Sequence, residues 1–203
     1  MNEAVQYGKK APANAALIGA NILFFLYLEL LGSTEDGIFM IAHGAMFSPL
    51  VLGEGQYSRL LTSIFMHFGA SHLMNNMLVL LLLGEKLERV LGHVKYLIFY
   101  LLCGVLANLI SMEVHIYLDE IVIGAGASGA MFGVIGGLVW VAFRNHGWVE
   151  RLTGRQLAVM IFIVLYYGAV SSNIDQWAHL GGLVSGIFLC ILMYRRPRTA
   201  CGA

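Results

Sequence analysis

Four side chains that could carry out hydrolysis lie in otherwise apolar parts of the chain. Ser128, within the run Gly-Ala-Gly-Ala-Ser-Gly-Ala over 124–130, could act as a nucleophile. His179 could act as its general base, because a serine hydroxyl reacts only when a nearby base takes its proton, and histidine suits that role near neutral pH. His72 and Asn76 are four residues apart, so on a helix they would share a face and could stabilise an oxyanion.

The elements that must position these groups are predicted to be membrane-spanning helices. Of the 203 residues, 59% are hydrophobic and only 12% are charged, and the mean hydropathy is +0.76. Soluble domains carry about 25% charged residues, so this chain has too little polar surface to cover a globule. Twelve basic and twelve acidic residues cancel, and this balance argues against a nucleic-acid partner.

Six apolar runs each approach the ~20 residues that a helix needs to cross ~30 Å of hydrocarbon. They lie at about 15–32, 72–91, 96–112, 127–143, 157–172 and 177–194. The predicted fold class is therefore all-α, a polytopic membrane protein with a bundle of six transmembrane helices. We expect a cytoplasmic leader over 1–14, a membrane domain over 15–194 and a cytoplasmic basic tail over 195–203. Charged residues at the end of the second run, Glu88 among them, are expected to carry that helix into the interface.

The basic residues predict the orientation. With six spans, every lysine and arginine except Arg59 falls on one side, which the positive-inside rule makes cytoplasmic, with both termini there. Another uncharged run, 37–53, is predicted to be an irregular element at the interface, because a seventh span would move Lys9 and Lys10 outside. We expect an integral protein of a bacterial inner membrane.

The four polar groups are predicted to lie at one depth. Under this topology the second, fourth and sixth segments all run inward from the outer face, and each begins with its polar residue, within about two turns of the surface. Polar groups in membrane segments are costly and therefore functional candidates. The residues alone leave packing open, since small-residue spacings are common in membrane bundles. Five glycines show this spacing: Gly129, Gly133, Gly137, Gly182 and Gly186.

The motifs together resemble those of the rhomboid family of intramembrane serine proteases. Residues 126–133, Gly-Ala-Ser-Gly-Ala-Met-Phe-Gly, resemble its nucleophile motif, and 178–186, Ala-His-Leu-Gly-Gly-x-x-x-Gly, resemble its base motif. Residues 67–76, His-Phe-Gly-Ala-Ser-His-Leu-Met-Asn-Asn, resemble the signature of its second segment, and 84–92, Gly-x-x-x-Glu-x-x-x-Gly, match the end of that segment.

The resemblance implies a Ser-His dyad. Ser128 would attack the scissile carbonyl and His179 would accept its proton, while His72, Asn76 and the backbone N–H of Ser128 would stabilise the oxyanion. Asp175, four residues before His179, is expected to be a loop charge and not a third catalytic member. The implied partners are transmembrane-helix substrates and the lipid bilayer, with no cofactor and no metal; the oligomeric state is left open.

The resemblance also implies supporting residues. His67 would bond to loop backbone, and Phe132 would stack on His179 where the family often has tyrosine. Arg59 matches the arginine of a Trp-Arg pair in the first loop, although Ser58 stands in the place of the tryptophan.

Three alternatives stay open at this point. A rhomboid-like binding or escort protein without activity would usually lack the serine or the histidine, and both are present. A proton-coupled transporter would need polar residues through the full depth of the membrane, whereas the inner halves of the fourth and sixth segments are almost wholly apolar. A metalloprotease is disfavoured because no His-Glu-x-x-His sequence occurs.

Overall fold

Six helical segments of the computed structural model coincide with the six predicted spans. The structure describes residues 11–149, 152–170 and 175–195. In chain order its elements are α1 (Pro12–Leu31), α2 (Gly37–Ala42), β1 (Met46–Phe47), α3 (Ser48–Gly53), α4 (Arg59–Thr62), α5 (Gly69–Val79), α6 (Glu85–Leu91), α7 (His93–Tyr117), β2 (Ile123–Gly124), α8 (Ser128–Arg144), β3 (Trp148–Val149), β4 (Leu152–Thr153), α9 (Gly154–Val170) and α10 (Gln176–Met193). A 3₁₀ turn over Ser63–Phe65 follows α4, and a π-helical turn over Leu80–Gly84 joins α5 to α6.

Length and composition support membrane crossing. Within the described residues, α1, α7 and α10 are long and apolar enough to span a bilayer. A fourth span results if the segment from Gly69 to Leu91 is counted together with Arg59–Phe65, from which it is bent by 89°. Helices α8 and α9 have 17 residues each, which fits the predicted six-helix architecture with two shorter members. The all-α membrane fold is thus confirmed.

The helix boundaries depart from prediction by a few residues. Helix α1 begins at Pro12, three residues early, because proline is tolerated in the first turn, where its missing N–H costs nothing. Helix α7 continues to Tyr117, five residues beyond the apolar run. Residues 1–10 of the predicted leader, residues 196–203 of the predicted tail and the predicted end of the fifth run at 171–172 lie outside the described residues.

The run 37–53 forms no span, as predicted. It divides into α2, β1 and α3, and Asp36 caps α2 by accepting hydrogen bonds from the N–H groups of Ile38 and Phe39 at 2.8 and 3.4 Å. Strand β1 pairs antiparallel with β2, with Met46 opposite Gly124. This pairing ties the loop after α1 to the segment that leads into α8.

The side chain of Arg59 also holds the loop after α1 in place. Its guanidinium Nη1 donates to the carbonyl oxygens of Ile41 and Ala45 at 2.7 and 2.8 Å, and its Nε donates to Gln56 Oε1 at 2.7 Å. The side chain is buried, so these three bonds replace water around a permanently charged group.

Helices α8 and α10 touch backbone to backbone. A Cβ atom added at Gly182 would overlap the carbonyl oxygen of Gly129, and one added at Gly186 would overlap that of Gly133. Farther along α8, a Cβ at Gly136 would meet the carbonyl of Leu183. The small residues therefore set the separation of the two helices that carry Ser128 and His179.

Glu88 is enclosed by the protein. Its side chain is 0% exposed and accepts hydrogen bonds from the backbone N–H groups of Ala13 and Asn14 at 3.0 and 2.7 Å. His93 Nδ1 lies 2.6 Å from the same carboxylate. The first turn of a helix has N–H groups without intrahelical partners and attracts negative charge, so Glu88 acts as the N-terminal cap of α1.

Candidate active site

Ser128 is the first residue of α8, directly after an extended segment. Ala127 occupies the N-cap position and makes no side-chain cap, so the first N–H groups of the helix are not taken by a capping side chain. Gly126 has a φ of 142°, a conformation that side chains rarely adopt, and its N–H donates to Ser63 O at 2.9 Å. The half-buried Ser128 hydroxyl thus stands at the first turn of α8, which has no side-chain cap.

Helix α5 brings His72 and Asn76 against the segment before Ser128. A Cβ atom at Gly126 would lie 2.9 Å from His72 Cε1 and 3.6 Å from Asn76 Nδ2. Asn76 is 5% exposed, and its buried Nδ2 has no hydrogen-bond partner within the ranges that the structure describes. Buried donors are nearly always hydrogen-bonded in native proteins. This amide is therefore available to donate to a group that enters the site.

His67 supports the same segment. Its Nε2 accepts a hydrogen bond from the N–H of Ala127 at 3.4 Å, and its ring lies edge-on to His72 with the centroids 5.2 Å apart. The ring is fully buried. His67 therefore contacts both the backbone next to Ser128 and the ring of His72.

His179 lies in the first turns of α10 and packs on α8. Its ring stacks on Phe132 with a centroid distance of 4.2 Å and an interplanar angle of 20°. Phe132 is four residues after Ser128, so the two side chains share one face of α8. One residue back, the carbonyl of Ala178 would lie 3.6 Å from a Cβ at Gly129.

The hydrogen bonding of His179 is incomplete. The side chain is 5% exposed, and its Nδ1 has no partner in the described part of the chain. Across the described ranges, Ser128 Oγ and His179 are not hydrogen-bonded to each other. Catalytic hydrogen bonds are often long before substrate binds and shorten in the complex.

Asp175 is the N-cap of α10. Its Oδ1 accepts from the N–H of Ala178 at 2.9 Å, and its Oδ2 accepts from Ser111 Oγ at 2.5 Å. The carboxylate is thus engaged with a helix end and with α7, which differs from the loop charge expected. An aspartate directly before a helix is a strong N-cap signal, and that signal could have identified the role from the sequence.

The remaining predicted residues lie apart from the cluster. Arg59 anchors the loop after α1, and Glu88 caps the start of α1. Within the described residues there is no group of three His, Cys, Asp or Glu side chains arranged to hold a metal ion. The arrangement around Ser128 combines a hydroxyl, an imidazole and several hydrogen-bond donors, and these are the groups that acyl transfer requires.

Comparison with known proteins identifies relatives. Residues 54–196 match the family described as Rhomboid domain. The chain is 37% identical over 171 residues to Rhomboid protease GluP of Bacillus subtilis strain 168. It is 37% identical over 150 residues to YdcA of the same organism. It is 31% identical over 163 residues to RHOMBOID-like protein 1 of Arabidopsis thaliana.

The matches cover most of this chain but different fractions of its relatives. They span 84%, 70% and 76% of this chain, and 32% of GluP, 71% of YdcA and 39% of RHOMBOID-like protein 1. The chain therefore spans about a third of the first of these relatives.

Proposed function

Since the chain belongs to the rhomboid family, whose domain matches residues 54–196, we propose that it is an intramembrane serine endopeptidase. Its substrates are transmembrane helices of other membrane proteins, and its catalytic groups are Ser128 and His179. The observation that carries this proposal is the stacking of His179 on Phe132, one helical turn beyond Ser128. The names of relatives such as Rhomboid protease GluP agree with it.

Ser128 and His179 act as nucleophile and general base. His179 takes the hydroxyl proton as Ser128 Oγ attacks the scissile carbonyl, and then gives that proton to the departing amine. Water hydrolyses the acyl-enzyme, with His179 again as base. Phe132 holds the plane of the imidazole ring, and the unpartnered Nδ1 is consistent with a dyad that has no carboxylate partner.

The oxyanion is stabilised by donors from two elements. The backbone N–H of Ser128 comes from the uncapped start of α8, and the side chains of His72 and Asn76 come from α5. Preorganised donors of this kind stabilise the developing charge more than they stabilise the substrate.

A transmembrane substrate must unwind before it can react. In lipid its backbone amides are hydrogen-bonded internally, so the scissile carbonyl becomes accessible where glycine or proline weakens the helix. Under the positive-inside orientation, with both termini cytoplasmic, cleavage takes place near the outer face of a bacterial inner membrane, where water for deacylation is close.

The test is covalent labelling of the purified protein in detergent with a fluorophosphonate probe. We expect the wild type to be labelled at Ser128, and both Ser128→Ala and His179→Ala to lose labelling. The site of modification is read by peptide mass spectrometry.

The opposite result would redirect the assignment. A folded wild type that the probe does not label would count against catalysis and favour the escort-type alternative, for which binding of membrane helices is the measurable activity. Labelling that survives in His179→Ala would remove that residue from the dyad. The transporter alternative is disfavoured because the inner halves of the fourth and sixth apolar segments are almost wholly apolar.

A further inference from the structure

A second polar cluster lies where α7 ends and α10 begins. Asp175 accepts hydrogen bonds from Ala178 N–H and from Ser111 Oγ. His115 lies between two carboxylates, with Nε2 3.5 Å from Asp175 Oδ1 and Nδ1 2.8 Å from Glu120 Oε2. None of these residues belongs to the dyad or to the oxyanion donors.

Within this cluster, Asp175 makes hydrogen bonds to the helical turn that carries His179. Asp175 contributes its backbone carbonyl to His179 N–H at 3.2 Å and its carboxylate to the neighbouring N–H of Ala178. Both bonds close the first turn of α10. His179 Nδ1 has no partner within the described residues, so beyond the Phe132 stack the orientation of the ring depends on the backbone that carries it.

Helix α7 ties this turn to the rest of the bundle. Ser111 is buried, and the bond from its hydroxyl to Asp175 Oδ2 joins α7 to the start of α10. Gly181, two residues beyond His179, packs against the same helix, since a Cβ there would lie 2.9 Å from Ile110 Cβ. The height and rotation of α10 at His179 are therefore fixed against α7.

We propose that Asp175 is a positioning residue for the catalytic base: its side chain, held by Ser111, caps α10 and keeps the His179 imidazole aligned with Ser128. This inference rests on the proposed dyad. It assigns Asp175 a role through hydrogen-bond acceptance and not through charge on His179, so an uncharged side chain of equal capping ability should serve as well.

The experiment measures the rate of Ser128 labelling by a fluorophosphonate against probe concentration in the purified full chain. For Asp175→Ala we expect the maximal rate to fall about tenfold, the equivalent of one lost N-cap, with the half-saturating concentration unchanged. Asp175→Asn should label within about twofold of wild type, because asparagine caps helices as well as aspartate does. Ser111→Ala should be slowed about threefold through loss of one hydrogen bond.

Asp36→Ala is the matched control, because it removes an aspartate cap from α2, an element that carries no dyad residue. It should lower the unfolding temperature as Asp175→Ala does, yet label faster than Asp175→Ala. Asp175→Asn as slow as Asp175→Ala would show that charge matters and would overturn the inference.

Wild-type labelling rates in Asp175→Ala would also overturn it while leaving the dyad intact. An unlabelled wild type would remove the dyad and this inference together. If Asp175→Ala does not fold, Ser111→Ala decides, and an unchanged rate in that variant contradicts the inference.

Discussion

Asn76 carries a buried donor, Nδ2, that has no partner among the described residues. A buried amide without a partner costs about 1–3 kcal/mol, and Leu73 and Met77 are buried beside it on α5. Its Nδ2 would lie 3.6 Å from a Cβ at Gly126, two residues before Ser128, and we propose that it donates to the oxyanion there. The free-energy cost of the unpartnered Asn76 amide is therefore explained if its hydrogen bond to the oxyanion forms only in the transition state.

Asn76→Ala should lower turnover about 10²–10³-fold, the usual effect of removing one oxyanion donor. The free energy of unfolding should not fall, because the variant also removes an unsatisfied group. The measurement is kcat on a fluorogenic transmembrane substrate, beside a denaturation curve. Asn75→Ala is the matched control, because Asn75 is the exposed neighbour on the same helix. A folded Asn76→Ala protein with wild-type turnover would exclude the residue from the site.

The sequence indicates which residues are candidates for the site better than it indicates the hydrogen bonds that those residues make. Ser128, His179 and His72 stand out because polar groups are rare in apolar runs, and the structure brings them to one end of α8. The backbone partners of Glu88 could not be predicted, because they lie 74 and 75 residues away and backbone N–H groups leave no trace in a side-chain pattern. Asp175 was misread because two roles, loop charge and helix cap, fit the same position.

At the scale of elements, the contact between α8 and α10 determines how close Ser128 and His179 can be. Gly129 and Gly133 on one helix face Gly182 and Gly186 on the other. Close backbone approach at small residues is a common way for membrane helices to pack. Because the contact begins one residue after Ser128, we expect a change in helix separation to alter the distance between the two groups of the proposed dyad.

Gly182→Ala should separate the two helices and lower both stability and labelling of Ser128. The added methyl group would overlap the carbonyl of Gly129, and overpacking costs typically about 1–3 kcal/mol. Thermal unfolding and the rate of fluorophosphonate labelling are the two measurements. Gly19→Ala is the control, because nothing lies within 4 Å of a Cβ there and alanine is the better helix former. Equal behaviour of the two variants would contradict a role for Gly182 in helix spacing.

The six helices were predictable because long apolar runs are the strongest signal in a membrane protein. The π-helical turn at Leu80–Gly84 and the pairing of β1 with β2 were not. The turn is accompanied by a bond from Asn14 Nδ2 to Leu80 O at 2.9 Å, a contact between α1 and α5–α6 that local sequence does not encode. Strands of two residues are likewise too short to give an alternating pattern.

For the molecule as a whole, Glu88 joins three spans at one end of the bundle. The carboxylate lies at the end of α6, caps the start of α1 and contacts His93 at the start of α7. Close by, Tyr96 OH donates to Asn14 Oδ1 at 2.6 Å. An apolar side chain could not replace Glu88 in this buried network, because the N–H groups of a helix end need hydrogen-bond acceptors.

Glu88→Gln should lower the free energy of unfolding by about 1–3 kcal/mol. The amide keeps one acceptor oxygen but turns an NH₂ group toward a donor. Detergent denaturation followed by circular dichroism measures the change. Glu85→Gln is the control, since Glu85 forms a partly exposed i,i+4 pair with Arg89 at 3.4 Å that is worth about 0.5 kcal/mol or less. Equal losses in the two variants would argue against a cap at Glu88.

The length of α8 has a consequence for how the protein fits its membrane. Seventeen residues rise about 26 Å, which is shorter than the ~30 Å of a typical hydrocarbon core. When Arg144 lies at one interface, Ser128 at the other end remains below the lipid headgroups, and hydrophobic mismatch sets how far below. The thickness of the bilayer should therefore affect the rate of the proposed reaction. Lipids with shorter acyl chains would bring Ser128, the proposed nucleophile, nearer to water, and lipids with longer chains would bury it.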